Sequence, residues 1–179
     1  HMMNLLVKEQ KIKKYHIYVI EQSEGKKFNR GLLLNIGSQL ANKSYETLIF
    51  HDVDLIPEND LRYWYADKPG KGQPIHIAAC WKDRYVGANY FGGIVSFRKD
   101  DFQKINGFPN SFWGWGGEDD ALRERCRVND FSIEKVRKGT IYDMETDSDG
   151  LQMDLKHKLE TLKKNPEWKC EDKWEQRHL

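Results

Sequence analysis

The segment FWGWGGEDD, residues 112–120, places two tryptophans and three glycines directly before three carboxylates. A tryptophan ring offers an apolar face to a pyranose ring, while carboxylates accept hydrogen bonds from sugar hydroxyls. A carboxylate crowded by two others has a raised pKa, which suits a general base that deprotonates an alcohol. The segment therefore predicts a saccharide site. A helix N-terminus that favours acidic residues would explain the carboxylates, but it would not explain the glycines between the rings.

A second acidic motif, HDVD at residues 51–54, follows the apolar run TLIF. Alternation along a strand predicts that Asp52 and Asp54 lie on the same side. Ligands of open α/β sheets bind beyond the carboxyl ends of the strands. Two carboxylates at that position are suited to a hard divalent cation, which in turn holds phosphate oxygens.

Hydrophobic periodicity predicts the elements that position these two motifs. Residues 15–20, YHIYVI, alternate as in a strand, and residues 28–40 carry leucine and isoleucine at helical spacing before the strand at 47–50. This order is typical of a βαβ unit, and so the predicted fold class is α/β with a mostly parallel central sheet. Further strands are predicted at 75–81, at 90–97 and within 138–150, where the strand leads into a polar loop. Further helices are predicted at 100–107, within 118–131 and from residue 151 onward.

Composition and charge limit the classes of partner. The 179 residues are 39% hydrophobic and carry a formal net charge of +1, without the basic excess that is typical of nucleic-acid binding. No apolar run is long enough to span a membrane. Residues 1–2 are interpreted as a cloning remnant and residues 3–179 as one domain. The compartment is left undetermined, with a weak preference for a reducing one because the three cysteines show no metal-site or disulfide spacing.

Four stretches resemble the catalytic domain of the β-1,4-galactosyltransferases, family 7 of the glycosyltransferases. They are FNRGLLLNIG (28–37), FHDVDLIPEND (50–60), YFGGIVSF (90–97) and INGFPNSFWGWGGEDDALRERC (105–126), and their order and spacing also fit. The resemblance implies a GT-A-type fold and an inverting, Mn²⁺-dependent hexosyltransferase, with Mg²⁺ as an alternative cation. The implied partners are a UDP-sugar donor and a sugar or glycan acceptor.

The resemblance also implies roles for individual residues. It makes Asp119 the catalytic base, with Glu118 on the donor sugar and Asp54 as the metal ligand. The positions that match donor-binding residues are Phe28, Arg30, Asp52, Val53, Lys82 and Trp115. Those that match the acceptor side are Tyr90, Phe91, Gly93 and Asp120.

The sequence departs from the family pattern at two places. The family completes its metal site with M-x-x-H, whereas this chain has Met144-Glu145-Thr146-Asp147, so the predicted ligands are Met144 and Asp147. A carboxylate oxygen suits Mn²⁺ or Mg²⁺. The family's first strand and its Arg-bearing loop also have no counterpart, so we expect an open donor pocket, a partner chain that completes the N-terminal side, or weakened donor binding.

The predicted function is transfer of galactose or N-acetylgalactosamine from a UDP-sugar to a sugar hydroxyl. One alternative is a degenerate, non-catalytic carbohydrate-binding module of the same fold. Another is a metal-dependent phosphoesterase built around His51, Asp52 and Asp54, although such sites usually need more ligands than the scattered histidines supply.

Overall fold

The computed structural model of the chain describes residues 2–9, 11–41, 44–81, 91–114 and 116–144. Over these ranges the α-helices are α1 (Met2–Val7), α2 (Arg30–Leu40), α3 (Arg62–Ala66), α4 (Lys99–Lys104) and α5 (Glu118–Val128). The strands are β1 (Thr47–His51), β2 (Leu55–Pro57), β3 (Ile75–His76), β4 (Ile94–Arg98), β5 (Glu134–Lys135) and β6 (Ile141–Asp143). Short 3-10 helices span Asn59–Leu61 and Ile77–Cys80. The chain is α/β, as predicted.

The larger sheet is mixed rather than mostly parallel. Its strand order is β1-β4-β3-β5, in which β4 runs antiparallel to both β1 and β3, and only β3 and β5 are parallel. Strands β2 and β6 form a separate antiparallel pair. The prediction of a mostly parallel sheet is therefore not confirmed. An apolar run identifies a strand, but its direction depends on which distant strand it pairs with.

The predicted strand at residues 15–20 is absent from both described sheets, and this prediction was wrong. Ile17 and Val19 are 51% and 77% exposed, whereas Ile20 packs against α2 at Gly37. Alternating β-branched residues favour a strand only where a neighbouring strand offers hydrogen-bond partners. No described strand does so for this segment.

The larger sheet separates two apolar cores. On one face, Leu48 and Phe50 of β1 pack with Phe97 of β4 and with the α4 ring of Phe102. The Phe50 and Phe102 ring centroids lie 4.5 Å apart. On the other face, Ile75 and Ile94 are fully buried beneath α1 and α3. Full burial of one such side chain contributes roughly 1.5–3 kcal/mol, so both layers hold β1 and β4 in place.

Both long helices lie where the sequence predicts them, with α2 beginning at Arg30 and α5 at Glu118. The predicted helix at 100–107 ends earlier, at Lys104. It is followed by a turn in which Asn106 and Gly107 have positive φ. Of the segment predicted as a strand at 75–81, only Ile75–His76 is strand. The predicted helix beyond residue 151 lies outside the described residues.

Candidate active site

Arg30 is the first residue of α2, and two asparagines fix its position. Asn29 caps the helix: its side-chain oxygen accepts a hydrogen bond from the Leu32 N–H at 3.0 Å, and its Nδ2 donates to the Asn110 carbonyl at 2.7 Å. Asn35, six residues further on, is buried and exchanges hydrogen bonds of 2.8 and 2.9 Å with the Phe108 backbone. The N-terminal end of α2 is therefore attached to the segment that leads into FWGWGGEDD.

The guanidinium of Arg30 joins three carboxylates from two distant parts of the chain. Its Nε donates to Asp52 Oδ1 at 2.7 Å, just beyond the end of β1. Its Nη1 donates to Asp119 Oδ1 at 2.8 Å and lies 3.4 Å from Glu118 Oε1, both in the first turn of α5. Two motifs that lie far apart in sequence thus meet at one cation. We call these four residues the Arg30 cluster.

The Arg30 cluster holds one positive and three negative formal charges. Burial raises the pKa of the Asp119 carboxyl well above its usual value; Arg30 opposes this shift, whereas Glu118 and Asp52 add to it. Burial lowers the pKa of Arg30, but the three carboxylates outweigh this effect and hold it above its usual value. Arg30 is thus always cationic, and Asp119 retains its proton to a higher pH than an ordinary aspartate.

Close packing confines Asp119 to this position. A Cβ placed on Gly92 would overlap the Asp119 carboxylate, so the carboxylate lies directly on the Gly92 backbone. Gly31 is also tightly packed, because its Cβ would be 2.6 Å from the Pro109 carbonyl oxygen. Gly117, the residue directly before α5, has φ near +96°, a conformation that glycine adopts without strain. These glycines allow α2, α5 and the segment just before β4 to meet at the Arg30 cluster.

The DVD motif forms a turn instead of continuing β1. Strand β1 ends at His51, and the Leu55 N–H donates to the Asp52 carbonyl across the turn at 3.3 Å. The alternation argument that put Asp52 and Asp54 on one side therefore does not apply. The Asp52 N–H donates to the Gly93 carbonyl at 2.9 Å, and the Met144 N–H donates to the Asp54 carbonyl at 2.9 Å.

The hydrogen bond between Met144 and Asp54 brings two predicted metal ligands side by side. Met144 is 53% exposed, so its thioether is not part of the core. The Asp54 carboxylate suits a hard cation, whereas a thioether is a soft donor that contributes less. Among the described residues there is no group of three or more His, Cys, Asp or Glu side chains that could hold a metal ion. Asp147, the remaining predicted ligand, lies outside them. The described residues thus bring Asp54 and Met144 together through their backbones but do not by themselves complete a metal site.

His51 contacts the backbone of the turn and an aromatic ring of the core. Its Nδ1 lies 2.6 Å from the Asp52 carbonyl oxygen, and its ring is 6.0 Å from that of Tyr65. Burial lowers the pKa of His51 below its usual value. The ring therefore supports the turn from the core side, and this arrangement does not favour a phosphoesterase site in which His51 and the aspartates face one metal.

Of the other predicted site residues that the structure describes, some lie on the surface and one is buried in the core. Phe28 and Val53 are exposed, and Asp120 points outward to an ion pair of 3.6 Å with Arg123. Phe91 is 1% exposed, with its ring edge-on to buried His76, so it packs as a core residue and offers no ring surface to an acceptor. The predictions for Lys82, Tyr90, Trp115 and Asp147 lie outside the described residues.

The residues that assemble the candidate site were not among those predicted from the sequence. Asn29 could have been found, because an asparagine directly before a helical repeat signals an N-cap. Asn35 could not, because it lies on the buried face of α2, whereas apolar residues of the predicted repeat such as Ile36 and Leu40 are exposed. Arg125 of α5 is buried and donates to the carbonyls of Asn106 and Gly107, the latter at 2.7 Å. No local pattern identifies Arg125, because its partners lie in the turn that follows α4, 18 and 19 residues earlier in the chain.

Two family profiles match the chain. The N-terminal region of glycosyl transferase group 7 matches residues 1–67, and the N-terminal domain of galactosyltransferase matches residues 72–147. Among curated proteins, human β-1,4-galactosyltransferase 4 is 44% identical over 128 residues, which cover 68% of this chain and 36% of that protein. Rat β-1,4-galactosyltransferase 6 is 41% identical over 140 residues, or 74% of this chain and 35% of that protein. The chain thus spans about a third of the length of the curated relatives it matches.

Solved structures agree with this assignment. A mutant Drosophila β-1,4-galactosyltransferase 7 in complex with manganese, UDP-Gal and xylobiose superposes with a TM-score of 0.72 at 32% identity, covering 80% of this chain and 62% of that one. The catalytic domain of the same Drosophila enzyme with xylobiose gives a TM-score of 0.69 at 35% identity, covering 78% of this chain and 58% of that one. The fold is therefore that of a GT-A galactosyltransferase catalytic domain. The chain belongs to the β-1,4-galactosyltransferase family, family 7 of the glycosyltransferases.

Proposed function

We propose that this chain carries the catalytic centre of an inverting, Mn²⁺-dependent hexosyltransferase that moves galactose from UDP-galactose to a sugar hydroxyl. The observation that carries the proposal is the Arg30 cluster, in which the end of β1 and the start of α5 approach one guanidinium within 2.8 Å. The Drosophila structure with manganese, UDP-Gal and xylobiose supports the choice of cation, donor and acceptor class. UDP-N-acetylgalactosamine is a second donor consistent with the same residues.

Asp119 is the proposed general base. It takes the proton of the acceptor hydroxyl while that oxygen bonds to the anomeric carbon of the donor and the bond to UDP breaks. The proton ends on Asp119, and the electron pair of the broken bond leaves with UDP. Because the acceptor oxygen attacks from the face opposite to UDP, the configuration at the anomeric carbon is inverted. The raised pKa suits this role, because the carboxylate then has a higher affinity for the acceptor proton.

The other residues bind and orient the substrates. Arg30 holds Asp119 by one nitrogen and Asp52 by another, and so it fixes the base relative to the turn that carries Asp54. Asp54, with Met144 and Asp147, would hold the cation, which neutralises the departing diphosphate when bound. The remaining proposed contacts are Phe28, Val53, Lys82, Trp115 and Glu118 toward the donor, and Tyr90, Phe91, Gly93 and Asp120 toward the acceptor. Contact by the buried Phe91 would be through its backbone.

The test is UDP release from UDP-galactose with Mn²⁺ and a sugar acceptor, comparing wild type with Asp119→Asn. The amide keeps the shape and a hydrogen-bonding oxygen for Arg30 but cannot accept the acceptor proton, so we expect the rate to fall by about 100-fold or more. Asp130→Asn is the matched control, because Asp130 is exposed in the turn after α5, with a positive φ that asparagine also adopts.

Release at the wild-type rate from Asp119→Asn would show that Asp119 is not the base. A wild-type protein that binds sugars without binding UDP and Mn²⁺ would instead support the non-catalytic carbohydrate-binding module.

A further inference from the structure

A basic pocket lies next to the Arg30 cluster and has no role in the mechanism above. Lys26, Lys27 and Trp113 line an open cavity of about 340 Å³. The Lys26 ammonium lies 5.6 Å from the centre of the Trp113 ring. The stem of Lys27 runs past Gly114, where a Cβ would be 3.8 Å from Lys27 Cδ. We call these three residues the Lys–Trp pocket.

Both walls of the Lys–Trp pocket are held by hydrogen bonds. The Gln22 side chain donates to the carbonyls of Lys26 and Lys27 at 3.3 and 2.9 Å and accepts from the Asn29 N–H at 2.9 Å. The Gly114 N–H donates to the Phe28 carbonyl at 2.7 Å, which attaches the tryptophan segment to the lysine loop. Because the loop runs directly into Asn29 and Arg30, the pocket has a fixed position relative to the Arg30 cluster.

The chemistry of the pocket selects its ligand. An indole ring packs against the apolar face of a sugar, and two ammonium groups neutralise an anionic oxygen cluster such as a carboxylate or a sulfate. A diphosphate group alone would engage the two ammonium groups but leave the indole ring unused; the uracil of UDP would stack on that ring, so UDP is the competing ligand in the test below. An acidic saccharide engages both.

We propose that the Lys–Trp pocket is a subsite for an acidic substituent on the acceptor saccharide. The proposal rests on the function proposed above, since it assigns the pocket to the acceptor of that reaction. It predicts a preference for acceptors that carry a uronate or a sulfate next to a sugar ring, with Lys26 and Lys27 on the acid and Trp113 on the ring.

The experiment compares two probes that differ by a single carboxylate, methyl β-glucuronide and methyl β-glucoside, by NMR titration. We expect wild type to bind the glucuronide about tenfold more tightly, as contacts to an exposed charge allow. The double variant Lys26→Gln/Lys27→Gln should lose this preference. The control Lys71→Gln/Lys138→Gln removes the same charge from two exposed lysines elsewhere and should keep it.

Equal binding of the two probes by wild type, no binding of either, or a preference that survives Lys26→Gln/Lys27→Gln would each overturn the proposal. Calorimetry of UDP binding with Mn²⁺ separates the two sources of negative charge. If the lysine variant loses UDP affinity while the glucuronide preference remains, the pocket serves the donor diphosphate and the proposal is wrong. Absence of UDP binding in wild type would refute the proposed function and, with it, the assignment of the pocket to the acceptor. The glucuronide titration would then show only whether the pocket binds acidic saccharides.

Discussion

Substitution of Gly92 by alanine tests whether the position of Asp119 determines the rate. The added methyl group would overlap Asp119 Oδ2 and Cγ and would lie 2.8 Å from Oδ1. Ordinary contact requires at least 3.4 Å, so even Oδ1 must retreat by about 0.6 Å, and the nearer atoms by more. Gly92 is not among the glycines with positive φ, so alanine fits its backbone conformation. The substitution therefore acts on Asp119 rather than on the backbone.

The expected loss follows from this displacement. A misplacement of a catalytic group by about 1 Å costs on the order of 100-fold in rate, so kcat should fall by about this factor. The hydrogen bond of Asp119 to Arg30 is also lost. That should destabilise the fold by only about 1.5 kcal/mol, the lower end for a charged pair, because the Asp119 side chain is 22% exposed and water can replace the bond.

The assay is initial-rate transfer from UDP-galactose with Mn²⁺, together with urea unfolding and calorimetric titration of UDP. We expect a low kcat with UDP affinity retained, because Asp54 is unaffected. The control is Gly37→Ala in α2, where the new methyl group meets only the flexible Ile20 side chain at 3.3 Å and the helix gains propensity. If folded Gly92→Ala turns over as fast as Gly37→Ala, close packing against Gly92 does not position the base.

Three further predictions concern the same site. Arg30→Met should lower the free energy of unfolding by about 2 kcal/mol in urea titrations because it leaves three mutually repelling, partly buried carboxylates without their cation, whereas Arg62→Met, at a single, more exposed ion pair, should cost under about 1 kcal/mol. Asn29→Ala should cost about 2 kcal/mol by the same measurement, since it removes a helix cap and the hydrogen bond to the Asn110 carbonyl. The transfer rate should rise with pH as Asp119 loses its proton through its raised pKa, and a pH profile that rises only across the usual aspartate range would contradict the burial of this group.

The sequence indicated where the site lies because its signals are local. An apolar strand that ends in HDVD and a helix that begins with three acids are both visible within a dozen residues, and β1 and α5 form as those patterns predict. The helical spacing of residues 28–40 identified α2 but not its buried face, which is formed by Gly31, Asn35 and Ser38, while Ile36 and Leu40 are exposed. These local patterns were sufficient to identify the family.

The contacts that assemble the site are not local and could not be predicted in the same way. Arg30 lies 22 residues from Asp52 and 89 from Asp119, and nothing in FNR indicates which acids it will meet. The same limit explains the error at residues 15–20, where the alternation is real but no described strand lies alongside. It also explains the antiparallel direction of β4, which depends on its pairing with β1 and β3.

Opposing electrostatic effects on Asp119 couple activity to stability. Burial raises its pKa and Arg30 lowers it, while the two other carboxylates raise it further. Because the folded pKa exceeds the unfolded value, this group stabilises the fold below the usual aspartate pKa, and that contribution is lost as the pH rises through the raised pKa. The ionised form required for the proposed role of Asp119 as base is thus the one that the folded site disfavours. Arg30 stabilises the ionised form of Asp119 in the folded protein, because its positive charge offsets part of the repulsion among the three carboxylates. Asp119→Asn should consequently lower the transfer rate by about 100-fold or more and yet leave the protein more stable to urea above the raised pKa.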